Sequence, residues 1–313
     1  MSESRTELDA TAGAPCVSIT SAFYNTGPPL LDMIKSILAQ TFTDWELVLV
    51  DDGSTDGSLE LARSVVDPRI RVYSNGTNRG RSYSLNRLTA LARGRFIARM
   101  DSDDLSAPTR IERQLAFLAQ HPEVDVVGAG MVYISRDGAP MGQRHVPPTH
   151  AEICRTPFRT FGISHGSILA RRAWLERFRY DESINLAVDS NLFLRAHLET
   201  TFANVPEPLY YYRFEPSFRL SKQLATRRIC ARYFFDHCRR AGRLDRAFWY
   251  AGVQYAKAAI TVGMFYTGLQ RRLLAHRFDP LTAAERAAHV RALEQIRNQP
   301  VALGVRPAGA PAG

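Results

Sequence analysis

The sequence lacks any run of 18 uncharged apolar residues, which is about the shortest stretch that crosses a bilayer as a helix. A membrane-spanning helix is therefore not expected. The chain starts with the polar, acidic segment MSESRTELDATAGAP, whereas a secretory signal needs a basic start followed by an apolar stretch. We interpret residues 1–15 as a disordered lead-in and expect a cytoplasmic protein.

Cysteine is scarce, with four residues in a chain of 313. Cys16, Cys154, Cys230 and Cys238 are scattered and show no metal-type pairing with histidine. Free thiols are the usual state of such cysteines in a reducing compartment. The pattern indicates neither a disulfide framework nor a zinc site.

Acidic residues are outnumbered, with 31 Asp and Glu against 40 Lys and Arg and a formal charge of +9. The excess is concentrated between residues 221 and 246, which hold eight basic and two acidic residues. Such a segment suits nucleic acid, an anionic membrane or a phosphorylated substrate, and it is also typical of a solvated helix face. Because the segment has no recognisable nucleic-acid reader motif, we do not expect a nucleic-acid partner.

The first third of the chain alternates strand and helix patterns, which predicts a mostly parallel α/β sheet with helices on both faces. Four apolar strand patterns fall at residues 16–22, 46–50, 69–73 and 95–100. After residue 212 the strand signals end, and basic helical patterns follow. We predict an α/β domain over residues 16–220, a helical extension over 221–300 and a disordered tail over 301–313.

Two acidic turns follow apolar strand patterns, at Asp51-Asp52 and at Asp101-Ser102-Asp103. Ligands of open α/β sheets bind at the carboxyl ends of the strands. In an extended segment Asp101 and Asp103 point to the same side, and two such carboxylates repel unless a cation lies beside them. Oxygen ligands favour Mg²⁺ or Mn²⁺, which bridge to substrate phosphates. The spacing also occurs in solvated loops, but its place after an apolar strand favours a site.

Four sequence segments carry a family resemblance: VSITSAFYN, SILAQTFTDWELVLVDDGSTDGS, NRGRSYSLN and GRFIARMDSDDLSAP. In this order and spacing, the stretch from Val17 to Pro108 resembles the family-2 inverting glycosyltransferases with the GT-A fold. The resemblance implies a GT-A type sheet, a nucleotide-diphospho-sugar donor such as a UDP-sugar, and Mn²⁺ or Mg²⁺ as cofactor. It further implies that the acceptor is a surface glycan, a lipid-linked oligosaccharide or another glycoconjugate.

The resemblance also assigns donor-binding roles to single residues. Tyr24 would stack on the donor base, and Asp52 would accept a hydrogen bond from its ring nitrogen. Asp101 would approach the ribose and the diphosphate, and Asp103 would ligate the metal. Arg81 falls in a stretch that often lies near the donor. Alternatively, Tyr24 is a core aromatic residue and Arg81 is a surface charge.

Inverting transfer also requires a general base that takes the proton from the acceptor hydroxyl. By resemblance this base is Asp189 in LAVDSNLFLRAHL, where Val188 replaces the glutamate usual in the family. Asp189 could instead cap its helix. His165 in SHGSILARR matches a position where relatives present a histidine on the acceptor side, although a lone histidine is more often structural.

Three other functions are weighed against transfer of a single sugar. Processive polymer synthesis is disfavoured because the chain lacks the Q-x-x-R-W motif and membrane helices of those family members. A nucleotidyltransferase would carry a glycine-rich, basic loop near its first strand, where this chain reads AFYNTGPP. A catalytically silent protein that binds sugar nucleotides or acts as a membrane scaffold stays open.

The C-terminal helical patterns include an aromatic-rich stretch from Phe248 to Leu274. A basic, aromatic helix of this kind is suited to a membrane interface. It is equally suited to packing on the catalytic domain or on a second subunit. We therefore expect either peripheral contact with the inner face of the membrane or self-association.

Overall fold

The computed structural model describes residues 13–158, 160–214, 219–269 and 278–304. Its first part has the alternation that the sequence predicts. The strands are β1 (Val17–Phe23), β2 (Trp45–Asp51), β3 (Ile70–Ser74) and β4 (Phe96–Arg99). The helices between them are α1 (Pro29–Leu38), α2 (Ser58–Ser64) and α3 (Arg81–Leu91). All seven residues of β2 are buried, as expected for a strand covered on both faces.

The second part adds five strands and four helices. The strands are β5 (Leu105–Ser106), β6 (Val126–Ile134), β7 (Pro140–Arg144), β8 (Leu169–Arg171) and β9 (Phe202–Arg213). The helices are α4 (Arg110–Gln120), α5 (His150–Ile153), α6 (Arg172–Arg177) and α7 (Val188–Ala196). One sheet results, in the order β3-β2-β1-β4-β8-β6-β9-β5, with β7 paired to β6.

The α/β prediction is confirmed, but parallel pairing does not extend through the whole sheet. β1 to β4 are parallel, and so are β6 and β9. β8 pairs antiparallel with both β4 and β6. The β5–β9 and β6–β7 pairs are also antiparallel. A short connection such as the one from β6 to β7 can join only antiparallel neighbours, whereas parallel strands need a longer crossover.

Two hydrophobic cores cover the two faces of the sheet. Along β2, Leu47 and Leu49 face the first core and Val48 and Val50 the second, as the two-residue period of a strand requires. The first core contains side chains of α1, α2 and α4, and the second contains side chains of α3, α6 and α7. The carboxyl ends of β1, β2 and β4 are thereby held side by side at one edge.

The described part of the C-terminal region contains three further helices, α8 (Leu220–Arg240), α9 (Leu244–Tyr266) and α10 (Ala283–Arg297). α8 and α9 form a hairpin, and α8 contributes Tyr233 and Phe234 to the second core. α10 returns to the sheet and contributes Leu293 and Ile296 to the first core. No helix of the described residues is both long enough and apolar enough to cross a membrane.

Residues 301–304 belong to the segment that composition predicts to be disordered, and they contact the α/β domain. Val66 donates a backbone hydrogen bond to Ala302, and Gly304 donates one to Ser64. Val301 packs against the first core. Composition alone does not reveal such pairing of backbone groups. Residues 305–313 and 1–12 lie outside the described residues.

Candidate active site

A cleft of about 890 Å³ lies at the carboxyl edge of β1, β2 and β4. Its volume is in the range of small-molecule sites, which occur at this edge of open α/β sheets. All five residues predicted to bind the donor line it: Tyr24, Asp52, Arg81, Asp101 and Asp103. They come from the segments after β1, β2 and β4 and from the first residue of α3, so the fold brings separate parts of the chain to one site.

The loop after β1 is fixed by the loop after β2. The backbone N–H of Asn25 donates to Ser54 Oγ over 3.0 Å, and that of Thr55 donates to Asn25 Oδ1 over 2.8 Å. Asn25 has a φ of +49°, in the left-handed region that asparagine tolerates. The neighbouring Tyr24 is 50% exposed and faces the cleft. It is therefore not a core aromatic residue, and its ring is accessible to a ligand.

Asp52 is buried at the edge of the cleft and organises the loop before α3. Its Oδ1 accepts from Asn75 Nδ2 at 2.7 Å and from the backbone N–H of Arg79 at 2.9 Å. Its Oδ2 accepts from the backbone N–H of Gly80 at 3.0 Å. This carboxylate therefore holds the 79–80 backbone against the end of β2 and places Arg81 beside the cleft.

Asp101 is held by two arginines. Arg99 Nη1 donates to Asp101 Oδ2 over 2.8 Å, and Arg99 Nη2 and Arg81 Nη2 both donate to Oδ1. Burial raises the pKa of Asp101, but the two guanidinium groups outweigh it and hold the pKa well below its usual range. Asp101 is therefore ionised and already neutralised by protein cations. Arg81 is correspondingly part of the site rather than an isolated surface charge.

Asp103 differs from Asp101 although both belong to the same turn. Its side chain faces the cleft, and burial together with the nearby Asp101 charge raises its pKa. Its own backbone N–H and the charges of Arg81 and Arg213 lower the pKa only in part, and no side chain of the described residues donates a hydrogen bond to its carboxylate. Its backbone oxygen accepts from Arg213 Nε at 2.9 Å. A carboxylate in this state gains most from a bound cation.

The described residues contain no group of three or more His, Cys, Asp or Glu side chains that would enclose a metal ion. Mg²⁺ is usually held by one or two carboxylates together with substrate phosphates and waters rather than by an all-protein cage. Asp103 fits such a shared site. Asp101 fits it less well, because its oxygens already accept from Arg99 and Arg81.

A second group of cations at the cleft was not identified from the sequence: Arg136, Arg213 and Lys222. Arg213 ends β9, and its Nη2 donates to Asp32 Oδ2 over 3.1 Å while its backbone N–H donates to Asp104 Oδ1 over 2.8 Å. It lies 110 residues from Asp103 in the chain. No local pattern distinguishes it among 40 Lys and Arg, and only the pairing of β9 with β5 brings it to the acidic turn.

His165 and Asp189 are not among the residues that line the cleft. His165 lies in a short 3₁₀ turn, His165–Ser167, and is buried with its Nε2 2.8 Å from Tyr180 Oη. Burial, and then the charges of Arg99 and Arg81, lower the pKa of His165 well below its usual value. The imidazole is therefore neutral at physiological pH.

Asp189 is the second residue of α7 and is not the cap of that helix, because the N-cap position is Ala187. Ala187 has a φ of +53°, which costs a residue with a side chain about 1–2 kcal/mol. The loop before it is tied to α3, since Ser82 Oγ donates to the backbone oxygen of Ile184 over 2.5 Å. Asn185 of this loop lines the cleft, and Asp189 comes four residues after it in the chain.

Sequence comparisons give the relationship of this chain to known proteins. The sequence model of glycosyl transferase family 2 matches residues 18–179. EpsE of Bacillus subtilis strain 168, named as a glycosyltransferase, is 38% identical over 210 residues, which cover 64% of this chain and 73% of EpsE. TuaG of the same organism, named for teichuronic acid biosynthesis, is 32% identical over 129 residues, which cover 41% of this chain and 51% of TuaG.

Solved structures share the fold. TarS residues 1–349 of S. aureus, in complex with UDP-GlcNAc, superposes with a TM-score of 0.57 at 21% identity and covers 74% of this chain and 72% of that one. The mannosyltransferase PcManGT of Pyrobaculum calidifontis, in complex with GDP-Man and Mn²⁺, superposes with a TM-score of 0.55 at 18% identity. This match covers 91% of the present chain and 87% of PcManGT.

The match of the family model extends over more than half of the chain and includes both acidic turns and the cleft loops after β1, β2 and β4, whereas Asn185, Arg213 and Lys222 of the cleft lie beyond it. The sheet has the architecture of structures that bind nucleotide sugars. This protein belongs to glycosyl transferase family 2 and is a glycosyltransferase.

Proposed function

We propose that the protein transfers a single sugar, with inversion, from a nucleoside diphosphate donor to an acceptor hydroxyl, and that the donor is a UDP-sugar. One observation carries the proposal: Tyr24, Asp52, Arg81, Asp101 and Asp103 line one cleft of suitable size. The exposed Tyr24 ring is suited to stack on the base, and Asp52 and Arg81 line the same cleft. The UDP-GlcNAc complex of TarS supports this class of donor.

The diphosphate is the group that the cations of the cleft would bind. Arg81, Arg136, Arg213 and Lys222 all line it. Their positive charge stabilises the negative charge that develops on the leaving nucleotide as the bond to the sugar breaks.

Asp103 would ligate a divalent cation, Mn²⁺ or Mg²⁺, together with the donor phosphates. When bound, that ion neutralises charge on the leaving diphosphate. The raised pKa of Asp103 supports this role, because an additional cation relieves the repulsion from Asp101. The Mn²⁺ in the PcManGT complex supports the choice of ion.

Asp189 would act as the general base. In the proposed step the acceptor oxygen attacks the anomeric carbon while the bond from that carbon to the phosphate oxygen breaks. The electron pair leaves with the nucleoside diphosphate, and the hydroxyl proton passes to the Asp189 carboxylate. The left-handed Ala187 supports this assignment, since strained backbone is often found beside functional groups. His165, hydrogen bonded to Tyr180, would support the acceptor side of the site.

The acceptor would be a glycan or glycoconjugate of a surface polysaccharide. The name of TuaG, which refers to teichuronic acid biosynthesis, supports this class of product.

The proposal is tested by thermal unfolding with UDP, GDP or dTDP, each with and without Mn²⁺. We expect UDP with Mn²⁺ to stabilise the fold by about 2.7 kcal/mol at a concentration of 100 times the Kd. Asp103→Asn should abolish the metal-dependent part, whereas the exposed Glu60→Gln should keep it. Asp189→Asn should bind UDP normally but lose transfer about 10²–10⁴-fold. If no nucleotide stabilises the protein, the proposed function is wrong.

A further inference from the structure

An ordinary surface helix turns its apolar side chains toward the core. In α9 the large apolar side chains point outward instead. Only Ala247 and Gln254 of this 23-residue helix are buried. Its outward side chains include large apolar and aromatic residues, each at least 60% exposed: Phe248, Trp249, Tyr255, Ile260 and Tyr266. We call these five residues the aromatic face. Among the described residues, no ring or hydrogen-bond contact covers Trp249, Tyr255 or Ile260.

Contacts on the opposite side fix the orientation of α9. The ring of Tyr250 stacks on Phe158, with centroids 4.0 Å apart and planes 8° apart. Arg227 Nη1 of α8 donates to Gln254 Oε1 over 3.3 Å. Rotation of α9 to bury the aromatic face would break both contacts. The outward direction of this face is therefore set by the packing of the hairpin.

The turn between α8 and α9 adds positive charge at one end of the aromatic face. Arg239, Arg240, Arg243 and Arg246 are all exposed there. Asp245 lies 3.3 Å from Arg243, and Asp236 lies 3.9 Å from Arg239, so the turn keeps a net positive charge. Along α9 itself the ionisable groups that carry charge are only Asp245, Arg246 and Lys257.

We propose that the aromatic face and the arginine turn dock onto the surface of a bilayer that contains anionic phospholipid, with α9 lying in the plane of the interface. Tryptophan and tyrosine favour this interface because their rings are apolar and their N–H or O–H groups stay hydrated. Arginines beside the membrane are attracted by anionic headgroups. A second copy of the chain is a less suitable occupant, because its α9 offers only Asp245, which is already paired with Arg243.

The hairpin connects this surface to the cleft. The pairs Phe235–Phe248 and Arg227–Gln254 show that α9 runs antiparallel to α8. Continued at the same register, this alignment places Ile260 level with Lys222, which lines the cleft. A docked α9 would therefore hold the cleft close to the bilayer. This part rests on the proposed function and identifies the acceptor class as a glycan attached to a lipid in that membrane.

Docking is tested by co-sedimentation of the full chain with phosphatidylcholine vesicles and with mixed phosphatidylcholine–phosphatidylglycerol vesicles. We expect binding to the mixed vesicles. Trp249→Ser/Ile260→Ser should weaken it about ten-fold or more, because it removes two large apolar side chains from the interface. Arg243→Glu/Arg246→Glu should weaken binding to the mixed vesicles to a similar extent, about ten-fold.

Matched controls lie elsewhere on the surface. Leu198→Ser removes an apolar side chain that is 82% exposed, and Arg63→Glu reverses an exposed charge on α2. Both should bind vesicles like the unmodified protein. All variants should keep the stabilisation by nucleotide, so loss of docking and failure of the proposed function are separate results.

Three outcomes would overturn the docking proposal. One is that the unmodified chain does not sediment with either vesicle, and another is that the α9 variants sediment as well as the controls. The third is a dimer in lipid-free sedimentation velocity that Trp249→Ser/Ile260→Ser dissociates, which would assign the aromatic face to a second copy.

Discussion

At the scale of single residues, Asp101 and Asp103 are two residues apart yet have opposite electrostatic surroundings. Asp101 receives hydrogen bonds from Arg99 and Arg81, and Arg99 is almost fully buried. Asp103 faces the cleft without such partners in the described structure and has a raised pKa. The Asp101 carboxylate therefore stabilises the fold, whereas the surroundings of the Asp103 carboxylate favour a bound cation.

We predict that Asp101→Asn lowers the free energy of unfolding by about 3 kcal/mol, because it leaves the buried Arg99 charge without its carboxylate. This is the low end of the range for a broken buried pair, since the Asp101 side chain is 23% exposed. Asp103→Asn should leave that free energy unchanged or raise it. The ionised Asp103 side chain lowers the free energy of unfolding at neutral pH. A carboxyl group whose pKa is raised on folding stabilises the fold only as pH falls through that pKa. Urea unfolding at neutral pH measures both. Equal destabilisation by the two substitutions would contradict this assignment.

At the scale of elements, the cleft depends on loops that approach one another closely. Gly53, directly after Asp52, has a φ of +82°, and a Cβ there would lie 2.6 Å from the backbone nitrogen of Asn78. Gly57, at the start of α2, has a φ of +85°, but a Cβ there would meet nothing within 4 Å. The two glycines have nearly the same φ but very different space around the position of a Cβ.

Substitution of these two glycines separates the energetic cost of a left-handed backbone from the cost of a steric clash. Gly57→Ala should lower the free energy of unfolding by about 1–2 kcal/mol, the cost of a side chain in the left-handed region. Gly53→Ala should cost about 1–3 kcal/mol more, because the loop at Asn78 must move. It should also weaken nucleotide binding, since Arg81 follows that loop. Thermal unfolding with and without UDP checks both, and similar losses in the two variants would refute the close approach.

At the scale of the whole molecule, the C-terminal region has two different relationships to the catalytic sheet. The α8–α9 hairpin packs on the second core through α8 and exposes most of α9. α10 completes the first core through Leu293 and Ile296. Truncation at residue 220 would therefore remove parts of both cores, so point substitutions are needed to study this region.

We predict that Leu293→Ala lowers the free energy of unfolding by about 2–4 kcal/mol, as expected for a cavity in a packed core. Val290→Ala, on the partly exposed side of the same helix, should change it by no more than about 0.5 kcal/mol. Unfolding should stay a single transition in both variants, because α10 shares a core with α1. A separate early transition in Leu293→Ala would show instead that α10 folds independently of the sheet.

The local sequence determined the features that depend on neighbouring residues. The short apolar runs of β1 and β2 and the helical spacing of α1 are local, and they predicted the alternating first half of the fold. The position of an acidic turn after an apolar strand is local too, and it predicted that Asp52, Asp101 and Asp103 would meet. The family resemblance added Tyr24 and Arg81, and both line the cleft.

Only the tertiary structure decided what depends on distant pairings. Arg213 reaches Asp103 because β9 pairs with β5, and no local spacing encodes that pairing. The same is true of the strand order in the mixed half of the sheet, the return of α10 to the first core and the outward aromatic face of α9. Each depends on which surfaces bury one another, and burial is a property of the whole chain. Periodicity and turn chemistry, in contrast, depend on a few consecutive residues.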